Sequence, residues 1–148
     1  ATQGKISAVL RAPQFLATLW EFEVDVVRGG GVVSALVGAV KPQPPSRQRI
    51  SSGSPYEPKI GFSRAMRVGP RVLVSGTAPI APDGSPACVG DLYGQTRRCL
   101  EIIKGAIEDA GGRLGDVIRT RIYLTDISRW QEAGRAHGEF FGGHGHRD

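Results

Sequence analysis

Hydrophobic and polar positions alternate in several short stretches, which is the pattern of β-strands that bury one face. The clearest stretch is Val117 to Leu124. Its alternation places Ile118, Thr120, Ile122 and Leu124 on one face, and Arg119, Arg121 and Tyr123 on the other. Phe62 to Val68 and Arg71 to Ser75 are also rich in β-forming residues, and the Gly69-Pro70 pair between them predicts a compact antiparallel hairpin.

Two longer stretches repeat their hydrophobic residues with the period of an α-helix. The first follows Asp91, a favourable N-cap, and Gly111-Gly112 stops it. Its apolar stripe consists of Leu92, Cys99, Ile102, Ile103, Ala106 and Ile107. The second runs from Trp130 to Phe141, with Asp126 or Ser128 as its cap. This order of elements predicts an α+β fold, in which two helices pack on one face of a mixed β-sheet.

The N-terminal third of the chain has a weaker pattern. Leu16 to Val27 alternates, Gly29 to Gly31 can form a turn, and Val32 to Val40 is again apolar, which indicates a β-hairpin. The alternative is an extension that packs loosely. Lys41 to Pro58 is rich in Pro and Ser and predicts a connector. We therefore divide the chain into an N-terminal extension, residues 1–47, and a main domain, residues 48–148.

The composition is typical of a globular protein. The 148 residues suffice for one domain, with 40% hydrophobic and 22% charged residues. No stretch approaches ~20 consecutive apolar residues, and the start of the sequence lacks the pattern of a secretory signal. Cys88 and Cys99 do not have the spacing of metal ligands, so we predict reduced cysteines in a cytoplasmic protein. The net charge of +5 is spread along the chain, which does not favour a nucleic-acid partner.

Four short motifs follow one another in a specific order in the main domain. They are Gly61-Phe62-Ser63-Arg64-Ala65, the strand that ends in Ser75-Gly76, Ala110-Gly111-Gly112, and the strand that ends in Thr125-Asp126. Over about residues 50 to 142 this order and spacing resemble the RidA (YjgF-like) family. The resemblance implies a chorismate-mutase-like fold and a homotrimer with ligand clefts between its subunits. It also implies binding of small carboxylates and hydrolysis of 2-imino acids without a cofactor.

The same resemblance implies particular site residues. Phe62 is expected to form a wall of the cleft, and Ser75, Gly76 and Thr77 its lip, where the strand ends. The alternative for Ser75-Gly76 is an ordinary turn into the loop that follows. Members of the family commonly have a tyrosine where this chain has Phe62, so the hydroxyl group of that tyrosine is absent here. The family's carboxylate-binding arginine should fall near residue 145, and Arg147 is the catalytic candidate that lies nearest.

The family pattern continues past Phe141-Gly142 with an Arg-Pro motif and two further strands, which residues 143–148 do not match. We expect the hairpin of Leu16 to Val40 to pack in the place of those strands. We predict no metal site, because His144 and His146 are spaced by glycine without a fixed geometry. Three functions remain open: a deaminase of imino acids, a non-catalytic trimer that binds small metabolites, and an RNA-directed protein such as a translation inhibitor or ribonuclease.

Overall fold

The computed structural model of the chain describes residues 45–143 together with the backbone of residues 19–27. The strands are β1 (Leu19–Val27), β2 (Arg47–Ile50), β3 (Ala65–Val68), β4 (Arg71–Val74) and β5 (Val117–Leu124). The helices are α1 (Tyr56–Ile60), α2 (Leu92–Asp109) and α3 (Trp130–Phe141), with 3-10 turns at Leu114–Asp116 and Ile127–Arg129.

The five strands form one sheet in the order β2-β3-β4-β1-β5, and each neighbouring pair is antiparallel. Because β4 and β5 are both antiparallel to β1, they run parallel to each other with β1 between them. α2 lies against α3, β1 and β4. The α+β architecture predicted from the sequence is therefore confirmed.

The strand predicted within Leu16 to Val27 is also confirmed, and it is central rather than peripheral. β1 pairs with β4 from Val24 to Val27 and with β5 from Leu19 to Val26. The second strand of the predicted hairpin, Val32 to Val40, lies outside the described residues.

The prediction that Lys41 to Pro58 is only a connector is wrong for its second half. Arg47–Ile50 forms β2 and pairs with Val68 to Ala65 of β3, and Tyr56–Ile60 forms α1. Only Ile50 of β2 is buried, because this strand lies at the edge of the sheet. A strand held by backbone pairing at an edge leaves little hydrophobic pattern in the sequence.

The apolar stripe of α2 forms the centre of the core. Leu92, Cys99, Ile103 and Ile107 are all fully buried. They pack in one cluster with Ala65, Val72 and Val74 of the sheet and Ala133 and Phe141 of α3. The predicted cap is confirmed, since the Asp91 side chain accepts a hydrogen bond from the backbone N–H of Gly94. Gly111, with a φ of +76°, adopts the left-handed conformation that ends such a helix.

One residue of β5 departs from the predicted alternation. Asp25 pairs with Arg119 while Val26 pairs with Val117, so the register shifts at Ile118. This irregularity leaves Ile118 67% exposed instead of facing the helices. Ile122 and Leu124 pack against the core as predicted. Asp126 caps the 3-10 turn before α3 through the backbone N–H of Ser128.

None of the described helices is long and apolar enough to cross a membrane.

Candidate functional site

A cavity of about 570 Å³ opens beside the ends of β3 and β4. It is lined by Arg49, Glu57, Pro58, Gly61, Phe62, Ser63, Met66 and Ser75. This volume is in the range that small-molecule sites occupy. Two residues predicted from the sequence, Phe62 and Ser75, therefore line the same cavity.

The sheet places Arg49 and Met66 on the same side of this cavity. Arg49 of β2 pairs directly with Met66 of β3, and the adjacent pair is Ile50 with Ala65. Ile50 and Ala65 are buried in the core beneath the helices. Since successive side chains of a strand point to opposite faces, Arg49 and Met66 lie on the face away from the helices.

A buried arginine shapes the wall next to the cavity. Arg64 is 6% exposed, and its Nη1 donates to the carbonyl of Gly76 at 2.9 Å and to the hydroxyl of Thr77 at 2.8 Å. Its own carbonyl accepts a hydrogen bond from the backbone N–H of Ser75. These contacts turn the chain away from the sheet after Val74, because Gly76 and Thr77 point their acceptors inward.

The three predicted residues that follow β4 have different environments. Ser75 is half-buried and lines the cavity, and its hydroxyl donates to the carbonyl of Ser63 at 2.7 Å. The hydroxyl oxygen of Ser75 thus keeps its acceptor capacity. Gly76 offers its carbonyl to Arg64. Thr77 is 1% exposed and is not among the lining residues, and its hydroxyl donates to the Ser75 carbonyl.

Glu57 brings a negative charge to the cavity. It is 6% exposed, and its Oε1 accepts hydrogen bonds from the backbone N–H of Ser52 at 2.9 Å and from the Ser52 hydroxyl at 2.6 Å. Burial tends to raise the pKa of this carboxyl, but hydrogen bonds from Ser51 and Ser52 and the charge of Arg64 outweigh it. The pKa of Glu57 is therefore below its ordinary value, and the side chain is ionised at neutral pH.

The Arg64 guanidinium remains a cation in this setting. Burial lowers the pKa of Arg64, and the charge of Glu57 partly offsets that effect. Arginine is so strong a base that its guanidinium still carries the proton at neutral pH despite this lowered pKa. The buried charges of Glu57 and Arg64 are linked through Ser52, whose hydroxyl lies 3.4 Å from the Arg64 Nε.

Cys99 lies behind Thr77 and is not a reactive thiol. Its sulfur donates to the carbonyl of Thr77 at 3.2 Å, and the residue is fully buried. Burial raises the pKa of Cys99 to about 12, although the charges of Arg64 and Arg98 act in the opposite direction. The side chain is therefore a protonated thiol that fills the core.

The remaining predicted candidate, Arg147, lies outside the described residues, as do His144 and His146. Within residues 19–27 and 45–143 no three His, Cys, Asp or Glu side chains cluster as metal ligands. The sequence analysis missed Arg49 and Glu57, since both fall in the segment that was interpreted as a connector. The pairing of β2 with β3 brings Arg49 to the cavity and α1 brings Glu57 there, and the hydrophobic pattern of the sequence contains neither signal.

Residues 53–147 match the protein family described as Endoribonuclease L-PSP. A RutC family protein of Pyrococcus abyssi is 36% identical over 81 residues, which cover 55% of this chain and 64% of the relative. The chain thus spans less than two thirds of the length of that protein. An uncharacterized protein of Streptomyces coelicolor is 39% identical over 94 residues, which cover 64% of this chain and 69% of the relative.

Solved structures with the same fold extend the comparison. Rv2704 from Mycobacterium tuberculosis, described as a member of the highly conserved YjgF/YER057c/UK114 family, is 48% identical with a TM-score of 0.57. The match covers 66% of this chain and 75% of that one. A putative endoribonuclease from Thermotoga maritima is 29% identical with a TM-score of 0.54, over 65% and 71% of the two chains.

Proposed function

The chain belongs to the Endoribonuclease L-PSP family, the group that includes the YjgF and RidA proteins, and we propose that it binds small imino and keto acids and hydrolyses the imino acids. The cavity between Arg49, Phe62 and Ser75 is the observation that carries this proposal. It offers one cationic and one anionic side chain, a hydroxyl acceptor and two apolar walls in a volume suited to a metabolite.

Hydrolysis of a 2-imino acid needs a substrate that is held in a fixed orientation and a water molecule. Water adds to the C=N carbon of a protonated 2-imino acid, and a proton passes from the added oxygen to the nitrogen. The C–N bond of this carbinolamine then breaks, and the remaining hydroxyl proton goes to the departing ammonia, which leaves the 2-keto acid and ammonium. The ionised Glu57 favours a cationic nitrogen in the cavity, and Phe62 and Met66 exclude water from the remainder of the ligand. Arg147 remains a proposed catalytic residue, and no cofactor is required.

The proposed assembly is a homotrimer with the clefts between its subunits. The sheet face away from the helices supports this assembly, since Leu73 is 47% and Tyr123 is 44% exposed there. Light scattering at micromolar concentration should give three times the mass of the chain. A monomer mass would remove the basis for clefts between subunits.

An assay of imine loss tests the activity. An amino-acid oxidase generates 2-iminopropionate from alanine, and semicarbazide traps the imine that has not been hydrolysed. The folded protein should reduce the trapped product, whereas protein unfolded by heat should not. Replacement of Phe62 by Tyr restores a hydroxyl group and should increase the effect. Equal trapping with and without the folded protein would refute the hydrolase proposal and leave a binding protein.

Exposed arginines on the sheet face favour an RNA-directed protein as the second candidate. Arg47 and Arg71 flank Val68 on the face away from the helices, and the net charge of the chain is +5. Binding of an RNA oligonucleotide that weakens steeply between about 50 and 200 mM salt would support it. Cleavage of that RNA would identify a ribonuclease.

A further inference from the structure

We infer that Arg49 of the edge strand β2 holds the carboxylate of the ligand in the cavity. This inference rests on the proposed function, because it assigns a partner to the carboxylate of the same ligand. The residue is not Arg147, the catalytic candidate of the sequence analysis. Arg49 is instead a residue that the structure describes and that lines the cavity. The occupant that it requires is a small monocarboxylate.

The first step is the identity of the cation. Among the described residues that line the cavity, Arg49 is the one cationic side chain. Arg64 does not line the cavity, and its Nη1 and Nε are directed to Gly76, Thr77 and Ser52. Two of the three nitrogen atoms of this 6% exposed guanidinium are therefore already bonded within the protein, which leaves Arg64 less available to a ligand than Arg49.

The second step is the availability of the Arg49 guanidinium. Arg49 is exposed, and no residue of the described ranges forms a hydrogen bond or an ion pair with its side chain. A guanidinium presents five donors in a planar fork that matches the two oxygens of a carboxylate. A ligand carboxylate would therefore gain a charge-assisted contact without displacing an internal partner.

The third step is the support of the residue. β2 pairs with β3 over four successive positions, and Arg49 lies opposite Met66 near the end of that ladder. The next residue, Ile50, is 4% exposed and anchors the strand in the core. The backbone of Arg49 is thus fixed at the cavity rim, because its strand is paired with β3 and the next residue, Ile50, is buried in the core.

The fourth step concerns the charge of the ligand. Glu57 also lines the cavity and is ionised at neutral pH, so the positive charge of Arg49 is balanced by a fixed negative charge. A second carboxylate on the ligand would lie near Glu57 and be repelled, whereas a cationic nitrogen would be attracted. The pair of charges therefore favours protonated 2-imino acids over dicarboxylates.

The experiment measures pyruvate binding by NMR titration of the full chain. Arg49→Ala should weaken pyruvate binding about 10- to 100-fold, and Arg49→Lys should weaken it less because a charge remains. Arg47→Ala is the matched control. Arg47 lies on the same strand and the same face but does not line the cavity, so its loss should change the affinity less than about twofold.

The Glu57→Gln variant should have the opposite effect on pyruvate binding. Removal of the negative charge should strengthen pyruvate binding, provided that thermal unfolding shows a folded variant. If that variant does not fold, the Arg49 and Arg47 variants decide alone. The inference is overturned if Arg49→Ala binds pyruvate as the unchanged protein does, or if the unchanged protein fails to bind pyruvate at about 10 mM.

The result is separable from the proposed hydrolysis. If pyruvate binds through Arg49 and the imine is not hydrolysed, the activity is refuted and the assignment of Arg49 stands. If the imine is hydrolysed with the same KM by the Arg49→Ala variant, the activity stands and the assignment of Arg49 is refuted.

Discussion

The Nη1 atom of Arg64 lies 2.8 Å from the hydroxyl oxygen of Thr77, and this bond joins the segment before β3 to the segment after β4 inside the core. Both residues are less than a tenth exposed. The bond explains why the strand ends while its sequence is still apolar, since the chain after Val74 must turn to bring Gly76 and Thr77 to the guanidinium. Ser75 is left at the cavity as a consequence.

Replacement of Arg64 by Met should therefore destabilise the protein by about 3 kcal/mol, because acceptors on Gly76 and Thr77 and the charge of Glu57 lose their buried partner. Urea denaturation measures the change. Arg71→Met is the control, since Arg71 is exposed on β4, and it should change the free energy of unfolding by less than about 0.5 kcal/mol. Equal effects of the two substitutions would contradict the structural role of Arg64.

The depressed pKa of Glu57 predicts a loss of stability in acid. Because the pKa is lower in the folded protein than in the unfolded chain, the stabilisation is complete above the ordinary value near 4.5 and is lost as pH falls through the folded value. Denaturation curves from about pH 7 to about pH 3 should show this decline. The Glu57→Gln variant, if folded, should show a shallower decline, and an identical slope would contradict the assignment.

Helices α2 and α3 and the central strands follow from local patterns, and the sequence predicts them correctly, whereas α1 was missed. The stripe from Leu92 to Ile107 and the cap at Asp91 are local in sequence, so periodicity and capping rules suffice to find them. β2 is different because its stability comes from pairing with β3 at a sheet edge. The exposure of Ile118 likewise results from a register shift against β1, which lies far away in the sequence.

The candidate site was predictable only in its apolar and small residues. The resemblance to a family directs attention to Phe62 and Ser75, and both line the cavity. The charged residues Arg49 and Glu57 reach it through the position of β2 and α1, which no local signal specifies. The burial of Arg64 is equally invisible in sequence, where an isolated arginine is typical of a solvent-exposed position.

The two cysteines should differ strongly in reactivity. Cys88 is exposed, whereas Cys99 is fully buried and its pKa is raised to about 12. Iodoacetamide near pH 8 should therefore modify Cys88 in the folded protein and reach Cys99 only after unfolding, as mass spectrometry of peptides can show. The raised pKa also predicts that stability falls above about pH 9, where the unfolded chain begins to lose the thiol proton. Modification of Cys99 before Cys88 would contradict this structure.

Gln95 is a buried side chain whose replacement should stabilise the protein. It is completely buried in α2, and neither its Nε2 nor its Oε1 has a hydrogen-bond partner among the described residues. Gln95→Leu should raise the free energy of unfolding by about 1–2 kcal/mol, because burial of an unpaired amide is unfavourable. Thr96→Val is the control, since the Thr96 hydroxyl donates to the Leu92 carbonyl and is satisfied. Any loss of stability in Gln95→Leu would contradict the prediction.

The central position of β1 predicts that the fold depends on it. Val24 pairs with Val74 of β4 on one side and with Thr120 of β5 on the other, so β1 joins the two halves of the sheet. A proline at position 24 has no N–H and cannot complete the ladder of a central strand, so Val24→Pro should give insoluble or unfolded protein. Val24→Ile keeps the N–H and a β-branched side chain and should remain folded.

Deletion of residues 1–45 should have the same effect as Val24→Pro, because it removes β1 and exposes the edges of β4 and β5. Circular dichroism and solubility measure both outcomes. The expectation that the hairpin of Leu16 to Val40 packs in the place of the family's last two strands depends on this result. If the truncated protein is soluble and as heat-stable as the full chain, β1 does not hold the sheet together and the N-terminal segment is a dispensable extension.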